Sequence, residues 1–308
     1  CLPIALISVI MTFANMIDMI TVNPCIKIAM KASPHTFDSL LSDKLTADML
    51  PNFIYGSYIG LAVTVFGLVP TLTAMFGKSI LPSLAESCAK NDKKAMQSGL
   101  TKMLIVTSII AIPAGMGIAV LSEPILRFLF GGRETEIQVC IMPMSILGIA
   151  VIFLAIATPC FSILQTLGKP NKAIIIMLAG GIIKLFLNII LIRQPIINIS
   201  GAAISTLVSE VFICVLSVRS VCKMTDLKPK VSEIFVKPTY AAIMCGVTAV
   251  LSHETLTKIA HLQINHRFVT LFSIGIGSIM YFFCLYLLCE TPKNIVNYIF
   301  SKKNPQNP

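Results

Sequence analysis

Three ionisable residues stand alone inside long apolar stretches of this 308-residue chain: Asp18, Lys184 and Glu210. A charge in such surroundings is costly and is kept where it pairs or works. Each has a polar neighbour at helical spacing. Asn188 follows Lys184 by four, Thr206 precedes Glu210 by four, and Asn15 precedes Asp18 by three, so each couple shares one helix face. Asp18, Asn188 and Thr206 lie about six residues, or roughly 9 Å, below the outer ends of their stretches. Lys184 and Glu210 lie about ten residues in, or roughly 15 Å. Two levels therefore match across three helices, and one ammonium between two carboxylates keeps all three charged. Two kinds of chemistry fit the set. It is a fixed ion pair that joins helices, or a coupling site where Na⁺ or H⁺ competes with the ammonium for a carboxylate. The spacing leaves both open. Neither needs an organic cofactor or a resident metal.

The elements that position these residues follow from composition. The chain is 56% apolar and 12% charged, where soluble domains carry about a quarter charged residues. Its mean hydropathy is +0.86. A soluble globule cannot cover so much apolar surface, so soluble enzymes, disordered chains and fibres are excluded. Stretches nearly free of charge at 1–25, 49–77, 103–122, 137–168, 173–193, 200–218, 238–252 and 268–289 predict membrane-crossing helices. The expected fold is all-α, a polytopic transmembrane bundle of about eight helices. An even number puts both chain ends on one side. Lysines and arginines crowd into 78–102 and 219–237, which makes that side cytoplasmic. The net charge of +10 is then assigned to cytoplasmic loops facing anionic membrane lipids, with no nucleic-acid partner.

Several familiar chemistries are missing. Gly77-Lys78-Ser79 ends like a phosphate loop, but Leu72 stands where that loop needs glycine. The ten cysteines form no CxxC, and most lie in apolar runs, as Cys140, Cys160, Cys214, Cys245 and Cys284 do. His35, His253, His261 and His266 are placed in outer loops and read as solvated residues rather than metal ligands. Asn198-Ile-Ser200 matches a glycan acceptor but lies against a span. Pro70, Pro113, Pro143 and Pro159 fall inside spans. Kinked helices suit a moving transporter, and proline is also simply commoner in membrane helices. No Ser/His/Asp or Cys/His set can be assembled, so no enzyme is expected.

Residues 51–94 read PNFIYGSYIGLAVTVFGLVPTLTAMFGKSILPSLAESCAKNDKK. The pattern Tyr55, Gly56, Tyr58, Leu68, Pro70, Ser79, Pro82, Glu86 before a basic loop resembles the polysaccharide-biosynthesis flippases related to stage V sporulation protein B. So does 164–192, LQTLGKPNKAIIIMLAGGIIKLFLNIILI, with its Leu-Gln-x-x-Gly-Lys-Pro turn followed by Lys and Asn four apart, and so does INISGAAISTLVSE after it. That family belongs to the multidrug/oligosaccharidyl-lipid/polysaccharide exporters. The resemblance implies the second lobe of a MATE-like two-lobed transporter at 1–220, two additional helices and a basic cytoplasmic tail at 221–308, and a missing amino-terminal lobe of the same protein. It implies sodium between the helices that carry Asp18, Asn188 and Thr206, although Lys184 stands where some relatives have a neutral or acidic ligand. It also makes Tyr55, Tyr58 and Lys78 candidates for lining the substrate cavity, and the final helix pair a groove for a polyprenyl tail.

The function expected is flipping of a lipid-linked oligosaccharide or peptidoglycan precursor across the bacterial plasma membrane by alternating access. The alternatives are a Na⁺- or H⁺-coupled multidrug exporter of the same superfamily, and a membrane-embedded glycosyl- or acyltransferase using His253 and Glu254.

Overall fold

A computed structural model of the chain describes residues 2–33, 46–90, 92–226, 232–260 and 266–288, with the side chains of 2–15, 76–78, 232–233, 258–260, 266–268 and 288 outside the description. The elements are α1 (Leu2–Ala32), α2 (Leu50–Ser57), a π-helical segment (Tyr58–Val63), α3 (Thr64–Ala89), α4 (Lys93–Val120), α5 (Ser122–Phe130), α6 (Glu134–Thr166), α7 (Pro170–Leu191), α8 (Ser200–Thr225), a second π segment (Ser232–Val236), α9 (Lys237–Ala260) and α10 (His266–Leu288). Among the described residues there is no strand. Seven helical stretches among them are long and apolar enough to cross a membrane. The eighth expected stretch is α1, whose side chains up to residue 15 lie outside the description. Large apolar side chains such as Met19, Ile175, Phe186, Ile279 and Phe283 are exposed around the bundle. Lipid, not water, is the solvent that suits such a surface, because helices satisfy their own backbone groups there. The chain is a multi-pass membrane protein.

The expected loops are shorter than the sequence suggests. The short stretch at 238–252 is the middle of α9, so His253 and Glu254 sit on its last turns rather than in an outer loop. His35, His261 and the His266 side chain lie outside the described residues. Backbone hydrogen bonding carries a helix on past its apolar core, which is why charge alone misplaces the ends. The same effect puts Lys78 within α3 rather than in a loop.

Helix α6 is the hub and packs on α3, α4 and α8. Its crossing with α4 is close: a Cβ on Gly148 would stand 2.5 Å from the Ala119 backbone nitrogen, so only glycine fits. Ser145 Oγ there donates to the Ala119 carbonyl (2.7 Å), one of the carbonyls left open at the end of α4. Asp92 caps the other end of α4 by accepting from the Ala95 N–H at 3.0 Å.

Two of the helix prolines have partners on neighbouring helices. Proline has no N–H, so it orphans the carbonyl four residues earlier. Pro113 frees Ile109 O, and the Tyr281 hydroxyl of α10 donates to it at 2.9 Å. Pro159 frees Ala155 O, and Thr73 Oγ1 of α3 lies 3.4 Å from it while also serving Pro70 O at 3.1 Å. Inside a membrane such borrowed donors are what makes a proline tolerable. Helices α9 and α10 pack on each other and dock on α4 through Ile112, Ala241, Ala242, Cys245, Tyr281 and Leu285.

Candidate functional site

The antiparallel helices α7 and α8 are held together at two levels by small residues, one mid-helix and one at the turn that joins them. A Cβ on Gly180 would meet the Ile213 side chain at 2.4 Å, and Ser209 Oγ donates to Gly180 O at 2.9 Å. At the turn, a Cβ on Gly201 would lie 2.9 Å from the Leu191 and Ile192 backbone. Helix α1 rests on the neighbouring stripe of α7, with Ile17 against Gly181. That packing brings Asp18 to Lys184.

Lys184 Nζ donates to Asp18 Oδ2 at 2.8 Å. Asn188 Nδ2, one turn along α7, donates to Asp18 Oδ1 at 2.9 Å and to Thr21 Oγ1 at 3.0 Å. Asn188 Oδ1 accepts from Ser205 Oγ of α8. Thr21 Oγ1 donates onward to Ile17 O at 2.6 Å. Asp18, Lys184 and Asn188 are 5%, 8% and 0% exposed. Both oxygens of Asp18 are thus occupied, in surroundings where hydrogen bonds and charge are little weakened by water.

The grouping of Asp18, Lys184 and Asn188 is the one expected from spacing, but the arrangement differs in three ways. Asp18 meets Asn188, as their common level implies, but also reaches Lys184 one turn away on α7. The α8 partner is Ser205, not Thr206. Ser205 and Ser209, four apart, form the stripe that faces α7. Thr206 lies on the next stripe, donates to Ala202 O at 2.8 Å and meets the Tyr58 hydroxyl. Finally, Glu210 is not part of the pair. Its Oε2 is enclosed with no hydrogen-bond partner among the described residues, although Lys184 is within electrostatic reach. Glu210 shares the Thr206 stripe, and the ammonium is drawn instead to Asp18, which Asn188 holds in place.

Tyr58 is 1% exposed on the π segment and, with half-buried Tyr55 one turn earlier, comes within electrostatic reach of Asp18. These two tyrosines therefore belong to the polar site. A π turn is a frequent companion of functional positions. Asn15 is on α1 and Lys78 on α3, with both side chains outside the described residues. Thr21, Ser205 and Ser209 were missed. Thr21 is three residues from Asp18, a readable signal, but single hydroxyls in membrane helices are too common to stand out. Among the described residues, no three His, Cys, Asp or Glu side chains are placed to share a metal.

A second feature lies on another face. A groove of about 1520 Å³ runs between α3, α4, α5, α9 and α10. Its lining along α4 passes from Ala95 to Gly117, a rise of roughly 33 Å, close to the ~30 Å apolar thickness of a bilayer. One end is polar, lined by Ser83, Glu86, Ser87, Lys90, Asp92, Ser98 and Lys102. The rest is apolar, with Val106, Ile110, Phe128, Ile274 and Phe282. Glu86 pairs with Lys90 at 2.6 Å, and that hydrogen bond holds the ammonium above its usual range. Glu86 of the sequence pattern thus marks the groove mouth. Pro70 lies in the interior of α3, and Pro82 is exposed on the same helix.

The model of the family described as "Lipid II flippase MurJ" matches residues 55–270. A probable low-salt glycan biosynthesis flippase, Agl15 of Haloferax volcanii, is 26% identical over 63% of this chain and 41% of the relative. Stage V sporulation protein B of Bacillus subtilis is 21% identical over 62% of this chain and 36% of the relative. The chain therefore spans about two-fifths or less of these curated relatives. A solved transporter of the MOP superfamily from Pyrococcus furiosus superposes with a TM-score of 0.56 at 16% identity, over 93% of this chain and 61% of that one. That likeness shows the fold, an all-α helix bundle.

Proposed function

The chain belongs to the lipid II flippase MurJ family, and from that premise we propose that it moves a polyprenyl-diphosphate-linked sugar or peptidoglycan precursor across a bacterial plasma membrane. The observation that carries this reading is the groove. A slot of bilayer length, apolar for most of its run and ending in hydroxyls and lysines, suits an amphiphile with a long hydrocarbon tail and an anionic head. A small cationic drug has no use for a slot of that length. The relatives named for glycan biosynthesis and for sporulation support the same class of cargo.

Transport by alternating access needs a second lobe facing this one, and we place an amino-terminal lobe of the same protein there. Both ends of this chain then lie in the cytoplasm, where its basic segments meet anionic lipid. No covalent chemistry is involved. The ammonium of Lys184 fills the place beside Asp18 that a monovalent cation would take, which favours H⁺ over Na⁺ as the coupling ion.

The test is transport by the natural protein in liposomes, with a fluorescent polyprenyl-diphosphate sugar and, separately, a lipophilic cationic dye. Movement of the lipid-linked sugar alone is expected. Movement of the dye alone would overturn the reading in favour of a drug exporter. The same preparation should have a denatured mass well above the 33.4 kDa of this chain; a mass near that value removes the second lobe.

A further inference from the structure

Lys184 serves one of two carboxylates within its reach. It sits 2.8 Å from Asp18 on α1, whose other oxygen Asn188 holds. Glu210 on α8 has an enclosed Oε2 with no hydrogen-bond partner among the described residues, and the same Lys184 is within electrostatic reach of it. A lone carboxylate enclosed in a membrane protein is expensive, whereas the uncharged acid is tolerated. A lysine ammonium rides on a flexible four-carbon stem, so it can leave one carboxylate for the other.

We propose that Glu210 is a proton-binding site and that Lys184 exchanges between Asp18 and Glu210, handing one proton from one carboxyl to the other. In the arrangement seen, Asp18 is a carboxylate paired with the ammonium and Glu210 is a carboxylic acid. In the alternative, Glu210 gives up its proton and pairs with the ammonium, while Asp18 takes up a proton. The three groups sum to zero charge in both arrangements, so the swing leaves no bare charge in the membrane. Because the carboxyls sit on helices α1 and α8, release from one and uptake at the other can open to different sides when the helices shift. That makes the exchange a proton coupling device; its role in transport rests on the flippase reading above. Among the described residues, the other titratable groups around Glu210 are Cys214 on α8 and, beyond it, Cys160 on α6; around Asp18 they are Tyr55 and Tyr58. None is a second cation, so Lys184 is the group the two carboxyls share.

The experiment is infrared spectroscopy of the natural protein in lipid nanodiscs at neutral pH, reading the C=O band of a dehydrated carboxylic acid. Wild type should show the band, and Glu210→Gln should remove it. Asp18→Asn should remove it too, because the freed ammonium turns to Glu210 and ionises it. Lys184→Met should roughly double it, since both carboxyls then need protons. A wild type without the band, or a band that survives Glu210→Gln, overturns the proton site. A band that survives Asp18→Asn overturns the exchange. Should Asp18→Asn fail to fold, Asp18→Ser carries the same expectation. No substrate is present, so failure of the flippase reading would leave every one of these spectra unchanged.

Discussion

The polar site and the groove are both built from helices in the same bundle, by opposite means. At the site, α1, α7 and α8 close on one another until Asp18, Lys184 and Asn188 are almost wholly buried and hydrogen-bonded together. At the groove, α3 stands apart from α9 and α10 while α4 joins them, leaving an open slot whose walls are mostly ordinary apolar side chains. The difference separates two kinds of work. A saturated, enclosed network holds helices in register and is sensitive to any single loss. An open slot contributes little to holding the fold and acts through its shape. Substitutions at the first are expected to act on stability, and at the second on transport alone.

The largest effect is expected at the ion pair. Lys184→Met leaves Asp18 without its cation, so that its carboxyl must take up a proton and lose the buried pair, which should cost about 3–5 kcal/mol, read as a fall in Tm in nanodiscs. Lys184→Met combined with Asp18→Asn should recover most of that loss, because the cost lies in the unpaired Asp18 carboxyl rather than in the missing ion pair. A double variant as unstable as the single one would mean that Lys184 acts mainly by packing. Transport with unchanged ion dependence in Lys184→Ala would remove the site from coupling altogether and leave it a helix joint.

The groove predicts the reverse pattern. Gly117 lines it, and a Cβ there would meet nothing within 4 Å. Gly117→Leu therefore puts a side chain into the slot without strain, and loss of a mid-helix glycine should raise stability by up to about 1 kcal/mol. Transport of a long-chain lipid-linked sugar should fall by an order of magnitude or more, roughly the effect of about 1.4 kcal/mol in the barrier, with an unchanged or higher Tm. A short-chain analogue should be spared. Equal loss for both chain lengths would mean that the slot does not hold the tail.

The same contrast explains what was legible in the sequence. Charges in apolar stretches are rare, so Asp18, Lys184 and Glu210 announced themselves, and helical spacing added Asn188. Which hydroxyl completes the network was not legible, because Ser205 and Thr206 differ by only about 100° around a helix and the choice is made by Gly180 and Ser209 on the facing surfaces. Nor was the separation of Glu210 from the pair, since depth says nothing about azimuth. Seven of the eight expected spans are found by hydropathy among the described residues, but α5 was not foreseen: Ser122–Phe130 is too short and carries Glu123 and Arg127, which pair at 3.0 Å on its surface. The groove as such left no trace in residue types. Only the family resemblance placed one at the final helices, and its α3 and α4 walls lie far in sequence from α9 and α10.

A finer test of the comparison uses a residue that belongs to both kinds of region. Tyr281 lines the groove, and its hydroxyl donates to Ile109 O, the carbonyl that Pro113 leaves open. Tyr281→Phe should cost about 1 kcal/mol, the usual net worth of such a bond, while the ring keeps the groove wall in place and transport unchanged. In a Pro113→Ala background the alanine N–H can serve Ile109 O along the helix, so Tyr281→Phe should cost clearly less there. The coupling between the two substitutions, from Tm values of the four proteins, isolates this one bond from anything else the tyrosine touches. Zero coupling would show that the hydroxyl does not compensate the proline, and a fall in transport with unchanged stability would assign Tyr281 to the cargo rather than to the helix joint.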